Sequence, residues 1–339
     1  MSKHNLIPTY DVVKNYSKTA EEYHKYNMKF ENFRNEQKLC NCNIYSRVIT
    51  PDLPRIPYRR RREELKSSLH WGQRKLLLSE IEFLTLHGDK ANTIVYVGAA
   101  DGKHDIYLSK LFPKHKFILY DASKFYPGLV EYSKQNPDKI EIHNEYFLDK
   151  DVAEYKDKNI LFISDIRTVP DAEHGTEDYD EGMETNVAEN MTMQMNWVLG
   201  INPAACMLKF RLSYLPGQTK YLDGDLHFQV YPGHTSSETR LIACRPYSKK
   251  TYDNTDYEQV CYWHNICPRE CTYSVDAFQL IPNNYDVYAE QEILSVYLAK
   301  HRPKDKLKDM LSEIEHELGK TLVQKYREKM IKDKDVTNI

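Results

Sequence analysis

No run of apolar residues in this 339-residue chain approaches the ~20 that a helix needs to cross a bilayer. The first residues, MSKHNLIPTY, likewise lack the apolar stretch of a secretory leader. Both absences predict a cytosolic protein with no membrane contact. Cysteine is sparse and unframed: seven in all, an odd number scattered along the chain, which is the usage of reduced thiols rather than of a disulfide scaffold. A large excess of one charge is missing too. The formal net charge of −3 excludes a wholly basic nucleic-acid coat, although a local basic patch could still contact RNA. There is no internal repeat and no low-complexity block.

What is present is 41% hydrophobic and 29% charged residues, the composition of a globular protein that buries one large α/β domain with extensions or two modest domains. Residues 1 to about 50 are polar and rich in Tyr, Asn and Lys, with a helix predicted around Thr19 to Gln37. Pro51, Pro54 and Pro57 then remove backbone donors, so Thr50 to Tyr58 should be an extended connector. The run Arg59, Arg60, Arg61, Arg62 reads either as a solvated helix start paired with Glu63 and Glu64 or as a phosphate-contacting patch.

From Ser68 the pattern becomes helical, with Leu69, Leu76, Leu77, Ile81 and Leu84 in phase and Gly88 as the stop. Short apolar runs then alternate with helical segments. TIVYVG (Thr93 to Gly98), KFILYD (Lys116 to Asp121), KIEIHNEY (Lys139 to Tyr146) and NILFISD (Asn159 to Asp165) read as strands, with helices near Asp105 to Leu111, Leu129 to Gln135 and Asn186 to Leu199. That alternation predicts a mostly parallel central sheet with helices on both faces, a Rossmann-like α/β architecture. Three further runs, Ala205 to Leu212, Asp225 to Tyr231 and Thr239 to Arg245, predict an antiparallel edge. Beyond Glu258 the chain reads as mainly helical, ending in an amphipathic stretch from Lys304 to Met330 that either docks on the domain or forms a partner interface, a homodimer included. The boundaries drawn are an extension over 1–57, a catalytic-type domain over 58–275 and a helical extension over 276–339.

In an open α/β sheet, ligands bind beyond the carboxyl ends of the strands. The turn after the first strand, VYVGAADGKH, carries Gly98 and Gly102, and the next strand ends in Asp121, placed to accept hydrogen bonds from a ribose diol. Together they indicate a nucleoside-containing cofactor. The turn lacks the closely spaced first glycine pair of dinucleotide-binding enzymes, which favours S-adenosylmethionine over NAD.

The stretches GQRKLLL (Gly72 to Leu78), VYVGAADGKH (Val95 to His104), ISDIRT (Ile163 to Thr168), INPAACMLKFR (Ile201 to Arg211) and SSETRL (Ser236 to Leu241) resemble, in order and approximate spacing, the poxvirus cap-specific mRNA 2′-O-methyltransferase family. In that family the protein also serves as the stimulatory subunit of the viral poly(A) polymerase. The resemblance spans roughly residues 58 to 270. It implies the S-adenosylmethionine-dependent methyltransferase form of the fold, capped mRNA as substrate, a poly(A) polymerase catalytic subunit as partner, no metal, and a setting in the virion and host cytoplasm.

Position by position, the resemblance places the catalytic set on Lys75, Asp165, Lys209 and Glu238. It places cofactor contacts on Gln73, Tyr96, Gly98, Gly102, Asp121, Ser123, Asp165 and, by backbone, Leu148, and contacts to the methylated guanine on Tyr58, Tyr214 and Glu258. Asp101 stands where the family carries proline, Ser123 where it carries an arginine, with Lys124 beside it, and the segment between Lys209 and Glu238 is shorter. Of a second acid near the guanine, Asp223 and Asp225 are the candidates.

The chemistry explains the residue types. Methyl transfer from a sulfonium is an in-line displacement in which the attacking hydroxyl gives up its proton as the bond forms. A neutral lysine amine can take that proton, provided burial and neighbouring positive charge bring it below its usual ~10.4. Lys209, inside an apolar strand pattern, is assigned as base, Lys75 as the group that steers the hydroxyl oxygen and tunes Lys209, and Glu238 and Asp165 as holders. The N7-methylated guanine is cationic and stacks on electron-rich rings, while an acid accepts its donors. The alternative is a catalytically silent RNA-binding or polymerase scaffold, and a dehydrogenase stands third. Cys261, His264, Cys267 and Cys271 have ligand types for zinc but no long separation between two ligand pairs, so packing thiols are the expectation.

Overall fold

The computed structural model describes residues 47–59, 68–171, 176–271, 285–325 and 328–329. The helix expected around Thr19 to Gln37, and Arg60, Arg61 and Arg62 of the basic run, lie outside them. In chain order the elements that build the domain are α1 (Gly72–His87), β1 (Thr93–Val97), α2 (Asp105–Leu111), β2 (Lys116–Tyr120), α3 (Pro127–Gln135), β3 (Ile140–His143), α4 (Asp149–Tyr155), β4 (Ile160–Ser164), α5 (Glu177–Ile201) and β5 (Ala205–Phe210). Then follow β6 (Gln218–Leu222), β7 (Asp225–Phe228), β8 (Thr239–Cys244), β9 (Lys249–Asp253), α6 (Asn254–Ile266), α7 (Pro268–Cys271), α8 (Tyr285–His301) and α9 (Leu307–Leu318).

Seven strands form one sheet in the order β3-β2-β1-β4-β5-β8-β7. The first five are parallel, and β8 runs antiparallel to both β5 and β7. The expected architecture is therefore present: a Rossmann-like sheet with an antiparallel edge. The order steps outward from β1 to β3 and then reverses to β4, which opens a crevice above β1 and β4, where such sheets hold ligands.

The central strands are apolar on both faces, and their residues divide by parity. Ile94, Tyr96, Leu161, Ile163, Ala205 and Met207 belong to one core, beneath α1, α2, α8 and α9. Val95, Val97, Ile160, Phe162, Cys206 and Leu208 belong to the other, beneath α5 and α6. Each large apolar side chain so buried contributes roughly 1.5–3 kcal/mol, before the entropy of ordering it. The C-terminal helices share the first core through Tyr285, Leu294, Met310 and Ile314. They are pinned to α1 by the buried pair Arg74 Nε–Glu290 Oε1 at 2.6 Å and to α2 by the Tyr297 hydroxyl, which donates to the Leu111 carbonyl at 2.9 Å.

Several boundaries differ from expectation for local reasons. β3 stops at His143, where its register with β2 ends, and Asn144 Nδ2 instead donates to the Asp121 and Ser123 carbonyls at 2.9 and 2.6 Å. α5 begins at Glu177 rather than near Asn186, because Thr176 caps it by accepting from the Tyr179 N–H. Its apolar periodicity starts only at Val187, so the first turns leave no pattern to read. The antiparallel pair β6–β9 and the helix α4 were not anticipated. Nor is the final stretch from Lys304 one helix: α9 ends at Gly319, which adopts φ +69.

Candidate active site

Parity also places the charged residues. Lys209 lies between Leu208 and Phe210, so it shares the face of Met207, the face that α1 covers. Arg240 is its Cα partner on β8 and shares the face of Ile242, and Glu238 lies two residues earlier. Asp165 follows the last residue of β4 in phase with Ile163. α1 then brings Lys75 over this end of the sheet.

The four converge. Lys75 Nζ donates to Glu238 Oε1 at 2.9 Å, and Lys209 Nζ sits 3.1 Å from Asp165 Oδ1 and 3.7 Å from Glu238 Oε2. Two arginines that sequence reading missed complete the cluster. Arg240, 3% exposed, brings Nη2 to 2.7 Å from Asp165 Oδ1 and Nη1 to 3.5 Å from Glu238 Oε1. Arg167 Nη2 lies 3.6 Å from Glu238 Oε2. Both stand two residues beyond an acid already singled out, in ISDIRT and SSETRL, and strand parity was the signal that could have found them. Gln229 Nε2 also donates to Glu238 Oε1, at 3.0 Å.

Four cations thus face two carboxylates, and the electrostatics follow. Burial alone would raise both acids, yet Arg240 and then Lys209 hold Asp165 below the usual aspartate range. Lys75, Lys209 and Arg240 hold Glu238 well below its own. Lys75 moves the other way for an ammonium: burial lowers its pKa, and Arg240 adds to that, against the pull of Glu238. The arrangement can keep two carboxylates ionised as fixed holders while disfavouring charge on a lysine.

The turn after β1 closes over the same crevice. Gly98 has φ +83, and a Cβ there would sit 3.0 Å from the Asp165 carbonyl carbon and from the Ile166 nitrogen, so glycine is needed both for the conformation and for the approach to β4. Gly102, at φ +63, leaves room above Leu129. Asp121 Oδ2 accepts from the Ala100 N–H at 2.8 Å and Oδ1 from the Ser123 N–H at 2.7 Å, which steadies the turn and leaves each oxygen a further lone pair. Two residues expected to meet the cofactor also make hydrogen bonds within the chain. The Tyr96 ring is buried and its hydroxyl donates to Glu80 Oε1 at 2.8 Å. The Leu148 N–H donates to Asp151 Oδ2 at 2.7 Å, within the cap of α4. Beneath the turn, Glu80, His104 and Asp105 bring their side-chain oxygens and ring nitrogen within 4.8 Å of one another. His104 Nε2 lies at 2.9 and 3.1 Å from the two Glu80 oxygens, so a shared proton accounts for this contact and the group is a hydrogen-bonded charge cluster.

Beside the charge cluster lies a cavity of about 580 Å³ whose lining includes Tyr58, Tyr214 and Glu258, the three residues expected at the guanine, together with Arg59, Tyr262 and Ser237. Tyr58 and Tyr214 are 54% and 48% exposed, so each offers ring surface to a ligand. The Arg211 guanidinium lies 4.3 Å over the Tyr214 ring, which leaves the opposite face for stacking. Ser237 Oγ donates to the Tyr214 hydroxyl at 3.1 Å and immediately precedes Glu238, so cavity and charge cluster share a backbone wall. Burial raises the Glu258 carboxyl. Asp223 pairs with Lys250 at 2.9 Å, on the segment leading from β6.

In α6, Cys261 Sγ donates to the Ser237 carbonyl at 3.8 Å. The His264 ring stacks on Phe228 with centroids 3.7 Å apart. These contacts make both side chains part of the packing.

A family model for the poly(A) polymerase regulatory subunit matches residues 55–318 of the chain. The cap-specific mRNA (nucleoside-2′-O-)-methyltransferases of Myxoma virus, strains Lausanne and Uriarra, are each 27% identical over 220 residues, a match covering 60% of this chain and 63% of theirs. The chain therefore spans somewhat under two thirds of the length of these curated relatives. Among solved structures, bluetongue virus VP4, whose structure is described as a multifunctional RNA-capping production line, aligns with TM-score 0.41 and 13% identity over 78% of this chain and 40% of that one. A 1,6-didemethyltoxoflavin-N1-methyltransferase of Burkholderia thailandensis aligns with TM-score 0.25 and 10% identity over 59% of this chain and 83% of that one.

Proposed function

The chain belongs to the poly(A) polymerase regulatory subunit family, and from that premise we propose that it is an S-adenosylmethionine-dependent mRNA cap methyltransferase acting on the ribose 2′-hydroxyl of the first transcribed nucleotide. The observation that carries this reading is the convergence of Lys75, Asp165, Lys209 and Glu238 on one wall with a cavity lined by Tyr58, Tyr214 and Glu258. The names of the Myxoma virus relatives support it.

The residues present fit the cofactor. Gly98 brings the turn's backbone close against the end of β4 with no side chain between, Asp121 closes the adjacent strand with spare acceptor lone pairs, and Gln73 stands exposed at the start of α1. Bound there, S-adenosylmethionine supplies a methyl group on a sulfonium, open to displacement. The chain's own part is to hold the hydroxyl and receive its proton. Lys209 Nζ, fixed between Asp165 and Glu238, takes the proton from the 2′-oxygen, while Lys75, braced on Glu238, steers that oxygen. Arg240 and Arg167 supply the surrounding positive charge. A second assignment, with Lys75 as the base, is favoured by the lowering of its pKa through burial. The guanine would be gripped by Tyr58 and Tyr214, and a poly(A) polymerase catalytic subunit is the partner proposed.

The test is transfer of a radiolabelled methyl group to RNA whose cap carries no ribose methylation, followed by digestion to locate the label. Label on the ribose of the first transcribed nucleotide is expected; label on the guanine base, or none, overturns the reading. Lys209→Ala should lower turnover by roughly 10²–10⁴. If Lys75→Ala does so instead while Lys209→Ala retains most activity, Lys75 is the base.

A further inference from the structure

The cluster beneath the glycine turn has a consequence for the cofactor site. His104, the residue before α2, is 5% exposed. Its Nε2 faces both oxygens of Glu80, at 2.9 and 3.1 Å, and Glu80 also accepts the Tyr96 hydroxyl at 2.8 Å. Glu80 Oε1 already accepts from Tyr96 and both Glu80 oxygens face Nε2, so the ring nitrogen is the donor. Asp105 lies fully buried with neither carboxyl oxygen hydrogen-bonded among the described residues, and its Oδ1 is 3.9 Å from His104 Nε2. Two acids therefore press on one ring from the same side. Glu80, at hydrogen-bond distance from Nε2, keeps the ring an imidazolium with N–H groups at both nitrogens, while burial raises Asp105 and leaves it protonated near neutral pH.

The second nitrogen settles the orientation of another residue. His104 Nδ1 lies 3.0 Å from Gln73 Oε1. Because Nδ1 carries a proton, the Gln73 amide must turn its oxygen inward, and its two Nε2–H donors face outward with no acceptor among the described residues. A neutral ring with a bare Nδ1 would reverse the amide and present its oxygen instead. Gln73 stands two residues before Lys75 on the exposed first turn of α1.

We propose that His104, hydrogen-bonded to Glu80 through one ring nitrogen and to Gln73 through the other, is a positioning residue that fixes the Gln73 amide so that its N–H donors select the carboxylate end of the cofactor. The inference rests on the methyltransferase reading above and deepens it. Glu80, His104 and Gln73 act as one relay: Glu80 sets the charge of the ring, the ring sets the amide, and the amide sets the polarity offered to the ligand. Gln73 is the residue that touches the ligand, and His104 acts through it.

The test compares binding of S-adenosylhomocysteine with that of 5′-methylthioadenosine, which keeps the nucleoside and lacks the amino-acid carboxylate. The double variant Glu80→Gln/Asp105→Asn keeps shape and removes the Glu80 carboxylate together with the second acid, so its ring becomes neutral. Calorimetry should show affinity for S-adenosylhomocysteine reduced roughly tenfold, the worth of one hydrogen bond to a charged group, with methylthioadenosine affinity unchanged. Gln73→Ala should show the same loss, and combining it with the double variant should add nothing. Equal losses for both ligands, no loss for either, or losses that add to that of Gln73→Ala would overturn the inference alone. Failure of the wild-type protein to bind either ligand would overturn the methyltransferase reading and this inference with it. Thermal melts of each variant distinguish a folded protein from a collapsed one, and Glu80→Gln alone, which removes the acid facing Nε2, is the fallback where the double variant does not fold, with the same selective loss expected.

Discussion

Arg240 is the residue on which the charge cluster depends. It is the most buried of the cations there, and it reaches both acids. Replacing it with methionine keeps volume but leaves Asp165 and Glu238 underpaired in a half-dry site, and removing one partner from such a group costs about 3–5 kcal/mol. Urea unfolding of Arg240→Met should show a loss of that order; a change below ~1 kcal/mol would mean that Lys75 and Lys209 satisfy the acids unaided. Glu258 carries a second prediction at this scale. Burial raises its carboxyl, and only the ionised form can pair with a cationic guanine. Affinity for a methylated cap analogue should be full above this raised pKa and should fall as pH drops through it, beginning at higher pH than the ~4.3 of an ordinary glutamate would give. In Glu258→Gln that acid limb should vanish; its persistence would assign the titration elsewhere.

At the scale of the element, α1 joins site and core. It carries Gln73, Lys75 and Glu80 toward the crevice and Arg74 toward α8, where Arg74 Nε and Glu290 Oε1 meet at 2.6 Å with both side chains 1% exposed. The Tyr231 hydroxyl also donates to Glu290, at 2.7 Å. Glu290→Ala leaves a guanidinium buried without its main partner and should cost about 3–5 kcal/mol. Because α1 positions Lys75, methyl transfer should fall with it. Denaturant midpoints and turnover measured together check this: lost stability with full activity would mean that α8 does not hold α1 in register. The C-terminal tail follows the same logic. Its apolar spacing was legible, and docking rather than a free interface is the outcome for the residues described. The break at Gly319 was also written in the chain, as a glycine following the last apolar position of α9.

For the whole molecule, two histidines give stability opposite slopes with pH. His104 is raised to about 10 by Glu80 and Asp105, despite burial. A raised folded pKa means stabilisation that is fully present below the unfolded value of ~6.5 and is lost as pH climbs toward 10. Asp105, raised to about 8 by burial, contributes stability that is full below the unfolded value of ~3.9 and is lost as pH rises through 8, because the unfolded carboxyl ionises first. His264 is lowered well below its usual value by burial against Phe228, with Arg269 and Arg47 adding to this. The unfolded chain takes up its proton first, so stability falls as pH drops below ~6.5. The urea midpoint should therefore decline as pH rises above ~6.5, where His104 and Asp105 lose stability together, and stay nearly level just below it, where His264 and Asp105 oppose each other. In His264→Leu the midpoint should rise on mild acidification below ~6.5 and the alkaline decline should stay; an unchanged profile in that variant would show that His264 does not oppose Asp105.

What the sequence by itself determined is the part encoded in local periodicity: the alternation of strands and helices, the parallel core with its antiparallel edge, and the phase that puts Lys209 among apolar neighbours. The glycine turn and the acid at the end of the next strand were readable for the same reason, since a positive φ and a strand end each demand particular residue types. Tertiary structure alone decided which distant residues meet. Arg240 pairs with Asp165 because β8 lies antiparallel beside β5 and β5 beside β4, an order fixed by which faces bury apolar surface rather than by any short segment. Likewise only packing brings Tyr58, Tyr214 and Glu258 to one cavity, and only packing turns Tyr96 inward to Glu80 and sets His104 beneath the turn. Strand parity can state which face a residue occupies, but the charge that a buried group carries depends on the neighbours the fold supplies.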